Sequence, residues 1–131
     1  MAVVLEDRPG TLAKAAAAIA DAGINIEGFC AVPSGTGKQA LFHVLTKDPS
    51  ATRRVIEKAG FTVKEERDFV IVDAGEDRPG FLAKLLRSVA DAEINLGTSY
   101  VATNNRVAIS ADDIAGLRQA VQQSGMTATK R

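Results

Sequence analysis

The sequence predicts an α+β protein built from two small βαββαβ units in tandem, each an antiparallel sheet with both helices on one face. Three observations predict it. The stretch EDRPGTLAKAAAAIADAGIN, from Glu6 to Asn25, returns as EDRPGFLAKLLRSVADAEIN, from Glu76 to Asn95. A second block, KAGFTV from Lys58 to Val63, returns as QSGMTA from Gln123 to Ala128. Along each copy, the apolar spacing switches between the period of strands and the period of helices. A repeat of this length spells one supersecondary unit twice, and so decides the architecture before any single element is read.

The elements follow in order. Val3-Val4-Leu5 opens the first unit and FVIVDA (Phe69 to Ala74) the second, both β-branched apolar runs of strand type. In the helix that follows, Leu82, Leu85, Leu86 and Val89 recur at i, i+3, i+4 and i+7, one apolar face. The first copy thins that face to Leu12, Ala15, Ala16 and Ile19, which predicts a closer-packed helix. Pro9 and Pro79 are expected at the first helical position, and Asn25 and Asn95 are expected to begin the second strand. The middle of each unit reads as a β-hairpin, turning through PSGTGK (33–38) in one copy and the shorter TNNR (103–106) in the other. An asparagine pair there tolerates positive φ. Asp48-Pro49 places an N-cap before a proline and starts the second helix; Ser110, with Asp113 three residues on, is expected to do the same in copy two. Gly60 and Gly125 end these helices ahead of short strand-like tails. The resulting order is the ferredoxin-like split βαβ arrangement. The units divide at 1–66 and 67–131, are expected to pair side by side, and have EERD (65–68) as their candidate linker.

Bulk properties narrow the partners. The chain has 131 residues, with 16 basic and 16 acidic side chains and a formal net charge of zero. A neutral chain has no electrostatic footprint for nucleic acid or an anionic membrane, and no apolar run approaches the roughly 20 residues of a membrane span. The start lacks the order of a signal peptide, and the single cysteine, Cys30, cannot form an internal disulfide, so a cytoplasmic location is expected. ALFHVL (40–45) and FVIV (69–72) are apolar on both strand faces, whereas a sheet with one solvated face alternates. That predicts a covered second face, most simply in a homodimer.

The repeated Asp-Arg-Pro-Gly sits where a strand gives way to a helix. A helix start presents unpaired N–H groups and about half a positive charge, and Gly10 and Gly80 let a small anion approach the backbone. Together these describe a carboxylate receptor. Asn25 and Asn95, close by, both donate and accept hydrogen bonds, as an amino-acid ligand requires. Alternatively, Asp7 and Asp77 simply cap their helices, Pro-Gly is an ordinary turn, and the asparagines close the helix-to-strand step.

Asp-Arg-Pro-Gly-x-Leu-Ala-Lys, followed by a helix ending Ala-Asp-Ala-x-Ile-Asn, resembles the ACT domain family over both repeats. The resemblance implies a small regulatory module that binds amino acids or related carboxylates, with the ligand at the seam between two units. It implies ligand contacts at Asp7, Gly10, Thr11, Leu12 and Asn25, and at Asp77, Gly80, Phe81, Leu82 and Asn95. Leu5 and Gly75 stand where some serine-binding members carry a histidine, which speaks against a serine-type ligand. Gly23 against Glu93, and Glu27-Gly28 against Gly97-Thr98, predict two unequal sites.

Catalysis finds little support. His43 is the sole histidine, and Ala108 holds its place in copy two. Cys30, on the facing hairpin strand, suggests a nucleophilic pair with it, but both sit in apolar runs where a cysteine acts as a small hydrophobe. GTGK (35–38) lacks the spacing of a phosphate loop, no metal-ligand spacing is present, and no cofactor is expected. The expectation is a stand-alone, non-enzymatic amino-acid sensor that signals to a metabolic enzyme or regulator. The alternative is an interaction module that assembles through its sheets and binds nothing small.

Overall fold

The computed structural model describes residues 1–35 and 37–130. They form two compact units, Met1–Arg67 and Asp68–Arg131. The first runs β1 (Ala2–Glu6), α1 (Thr11–Asp21), β2 (Gly28–Pro33), β3 (Gln39–Leu45), α2 (Pro49–Lys58) and β4 (Thr62–Glu65). The second repeats the order with β5 (Val70–Asp73), α3 (Phe81–Asp91), β6 (Ser99–Ala102), β7 (Arg106–Ile109), α4 (Ile114–Gln123) and β8 (Ala128–Lys130). Each is the ferredoxin-like βαββαβ unit. Strand order is β4-β1-β3-β2 in one and β6-β7-β5-β8 in the other.

Alternation along the strands fixes which face is buried. Val3 lies opposite Phe42 on β3, and both join Met1, Leu5 and Val44 in a core closed by Ala15 and Ile19 of α1 and Ile56 of α2. In the second unit, Val70, Val72, Val107 and Ile109 pack against Leu85 and Val89 of α3 and Leu117 and Val121 of α4. The thinned α1 face therefore buries alanine where α3 buries leucine. The opposite face is not bare either: Phe69, Ile71 and Ala108 are 3%, 1% and 0% exposed within one chain.

Three local expectations are corrected. Helix α1 starts at Thr11 and α3 at Phe81, with Gly10 and Gly80 as their N-caps, so Pro9 and Pro79 stand two residues before the first helical residue. Asn25 and Asn95 lie in loops ahead of β2 and β6 rather than opening them. In copy two the cap is Asp113, whose Oδ1 accepts from the Gly116 amide at 2.9 Å. Asp48 does the same for the Ala51 amide at 3.0 Å. Ser110 is fully buried, and its hydroxyl donates to the Thr98 carbonyl at 3.0 Å, which holds it in the strand ladder. The TNNR turn has Asn104 and Asn105 at φ of 60° and 53°. The tip of the longer hairpin includes Thr36, which lies outside the described residues.

Two positions where the copies differ have measurable energetic consequences. Gly23 and Glu93 both hold the left-handed conformation just past their helices, at φ of 74° and 58°. A glutamate there is strained, because its Cβ crowds the carbonyl oxygen. Glu93→Gly should raise unfolding stability by about 1 kcal/mol, read from denaturant melts, while Glu93→Ala should give no gain.

The second position is a buried hydroxyl pair. Thr46 and Thr52 are 2.7 Å apart and 5% and 1% exposed; Ala111 and Leu117 stand in their places in copy two. The Thr52 hydroxyl also donates to the Asp48 carbonyl at 2.8 Å, so removing it takes the acceptor from Thr46, whereas removing both hydroxyls leaves neither in need of a partner. Thr52→Val should cost about 1–3 kcal/mol, and Thr46→Ala added to it should restore most of that loss in the same melts.

Candidate functional site

The site begins where β1 ends. Thr11 ties the turn together: its hydroxyl lies 2.7 Å from the Glu6 carbonyl and 3.1 Å from the Arg8 carbonyl. The Arg8 amide donates back to the Glu6 carbonyl at 2.9 Å, and the Asp7 amide to the Lys38 carbonyl at 2.9 Å. Gly10 then turns left-handed, with φ of 91°, and no side chain caps α1. Gly80 repeats this at φ of 98°, again without a side-chain cap. The capping role weighed for Asp7 and Asp77 is therefore not what these aspartates do. No side chain caps the first-turn amides in either copy, and in the first the Thr11 amide reaches the Arg8 carbonyl at 3.5 Å.

In the first unit the turn borders a cavity of about 230 Å³. Glu6, Arg8, Thr11 and Lys14 line one side; Gln39 and the Gly60–Thr62 turn line the other. Arg8 Nε lies 2.5 Å from Glu6 Oε2, and that hydrogen bond, then the guanidinium charge, holds the Glu6 carboxyl below the usual carboxylate range. The Lys14 ammonium sits 5.7 Å from the centre of the Phe61 ring, a cation–π contact on the cavity wall.

Of the ligand-contact residues expected from the resemblance, only Thr11 lines this cavity. Gly10 and Leu12 flank it along the helix, with Leu12 36% exposed. Asp7 and Asn25 are exposed and do not line it. In the second unit Phe81 takes the place of Thr11, half-buried, and packs against the apolar core. Asp77, Gly80 and Asn95 are exposed around it, and Leu82 is 47% exposed. Sequence reasoning missed Arg8, Lys14, Gln39 and Phe61. Arg8 and Lys14 were in the repeated words Asp-Arg-Pro-Gly and Leu-Ala-Lys all along; Phe61 and Gln39 are distant in sequence, and only the β1–β3 register and the α2–β4 turn bring them in.

A second cavity, about 380 Å³, lies on the face of the first sheet turned from its helices, against Val4, Ala40 and Leu41 and rimmed by Ser34, Gln39, Thr62 and Lys64. Cys30 and His43 face each other across β2 and β3. Burial lowers the His43 pKa first, with the amino terminus and Lys64 acting in the same direction and Glu65 against them. Among the described residues, no group of three or more His, Cys, Asp or Glu side chains could hold a metal ion, and no helix is long and apolar enough to cross a membrane.

A family model for the ACT domain matches residues 2–59. The first unit is an ACT domain. No curated protein matches the chain. Solved structures share the fold across nearly all of it. A protein from Bacteroides thetaiotaomicron superposes with a TM-score of 0.82 at 19% identity, covering 98% of this chain and 89% of that one. The ligand-free regulatory subunit of aspartate kinase from Thermus thermophilus gives 0.67 at 23% identity, over 94% and 89%. The corresponding subunit from Thermus flavus gives 0.59 at 24%, over 95% and 92%. The ACT match ends within the α2–β4 turn, so the cavity draws on the ACT domain and on the turn and strand that complete its sheet.

The His43 shift has a definite sign. The folded pKa lies below the ordinary value of 6.5, so the unfolded chain takes up the proton first as pH falls. Stability is fully present above about pH 6.5 and declines as pH drops from there toward the folded value. His43→Gln should flatten that limb of a Tm-against-pH curve between about pH 7.5 and 5.

Proposed function

We propose that this chain is an amino-acid-binding regulatory module whose ligand sits at the mouth of α1 and whose occupancy is read by a partner protein. The observation that carries the reading is an uncapped helix start beside a charged cavity of amino-acid size. A ligand carboxylate would meet the first-turn amides near Gly10, Thr11 and Leu12, where the helix dipole favours negative charge. The ACT match supports a regulatory role. So does the fold shared with proteins described as regulatory subunits of aspartate kinase.

In the same proposal, Asn25 serves a ligand bound at a seam with another ACT-like unit, because it lies away from the cavity of its own unit. Asp7 belongs to the rim of the mouth. Asp77, Gly80, Leu82 and Asn95 would form the corresponding rim in the second unit, with Phe81 closing it, so the first site dominates. The proposal assigns no catalytic residue and no cofactor. The partner is a metabolic enzyme, a regulator or a second copy of the chain.

Thermal melts against the twenty amino acids test this. A ligand that binds only the folded state stabilises it by about 2.7 kcal/mol at a hundredfold excess over Kd, so at least one amino acid should raise Tm. Thr11→Phe, which copies the second unit, should abolish the shift while leaving a cooperative ligand-free melt. A flat panel for the unaltered protein would leave only an interaction module.

A further inference from the structure

We propose that the cavity beside α1 selects an acidic α-amino acid, a ligand with one ammonium group and two carboxylates. The inference rests on the reading that this mouth holds an amino acid, and adds its chemical class. Three ionised side chains line the cavity, Glu6, Arg8 and Lys14. Two positive groups and one negative are the complement of two carboxylates and one ammonium. A neutral amino acid would leave one cation unanswered, and a basic one would place like charges together, which costs affinity.

The placement of each group fits its role. Arg8 turns its Nε to Glu6, and the paired terminal nitrogens of a guanidinium form a fork suited to a carboxylate. Lys14 rests over the Phe61 ring, which steadies the ammonium without neutralising it. Glu6, held ionised by Arg8, accepts from the ligand ammonium. The cavity, about 230 Å³, is smaller than the roughly 300–1,000 Å³ of pockets for drug-sized ligands, so it suits a small amino acid rather than a nucleotide. The second unit keeps the charges as Glu76, Arg78 and Lys84 but has Phe81 for Thr11 and Met126 for Phe61. It retains the charges, puts a larger side chain at the helix start and lacks the aromatic wall.

Isothermal titration of the full chain with L-aspartate, L-glutamate, L-asparagine, L-glutamine, L-lysine and succinate tests the inference. One acidic amino acid should bind at least about tenfold more tightly than its amide, the scale of one charge-assisted hydrogen bond. Lys14→Met, which keeps the stem over Phe61, should erase that preference, and Arg8→Gln should do likewise. Lys84→Met should leave it intact. If asparagine, glutamine or lysine binds as tightly as the acids, the charge argument is overturned while the amino-acid reading stands. If succinate binds as tightly as aspartate, the ammonium contact and the amino-acid class both fall. If no amino acid binds at all, both this inference and the function it rests on fail together.

Discussion

A strand that becomes a helix across a short turn, four residues in the first unit and seven in the second, needs one point at which the backbone changes hand. In both units that point is a glycine with φ near 90°, Gly10 and Gly80. An L side chain there would be strained, and a side-chain cap is absent. The turn is instead closed from the helix side, in the first unit by the Thr11 hydroxyl on the carbonyls of Glu6 and Arg8. Everything proposed about the mouth depends on this. Because no side chain caps the helix, no side-chain oxygen of the chain occupies the first-turn amides, and only the Thr11 amide reaches back, to the Arg8 carbonyl at 3.5 Å. Because Thr11 pulls the turn in, Arg8 and Glu6 are presented on the same side as Lys14.

The two units show how far chemistry can drift on one backbone. Helix caps survive as Asp48 and Asp113. The left-handed residue after the first helix survives in shape though glycine has become glutamate. The buried threonine pair has become alanine and leucine, and Thr11 has become Phe81. Each of the last two changes moves the second unit toward a drier interior: a hydroxyl pair gives way to aliphatic side chains, and a third hydroxyl gives way to a ring packed on the core. The second unit thus gains apolar burial where the first keeps polar and accessible groups.

Much of the fold was legible because the repeat supplied each element twice. Where one copy was ambiguous, as in the alanine-rich α1, the leucines of α3 gave the helical face. The three local misreadings share a cause. Pro9, Ser110 and Asn25 are residue types that favour helix starts and turns, and propensity alone does not say which of two neighbouring positions is used. At Pro9 the need for a left-handed residue at Gly10 pushed the helix start two residues on. At Ser110 the strand ladder kept the hydroxyl, leaving the cap to Asp113. The mouth was legible in part, since Gly10 and Thr11 lie within the repeated words. The opposing wall was not: Phe61 and Gln39 arrive from the α2–β4 turn and from β3, and no local pattern encodes that convergence. The cross-strand pairing of Cys30 with His43 was legible from the hairpin, but an adjacent pair in an apolar setting is not thereby a nucleophile.

The outermost strand of the first unit has a further consequence. β4 pairs with β1 only from Ala2 to Val4, and its register slips so that Lys64 is left over between Glu65 and Val63. A short, bulged edge bearing a lysine is a poor template for another chain to extend. Fibrillar stacking along that border is thereby discouraged, and a protein that docks here by lending a strand of its own would find few aligned amides to meet. Recognition at this border is thus steered toward side chains rather than toward main-chain zippering.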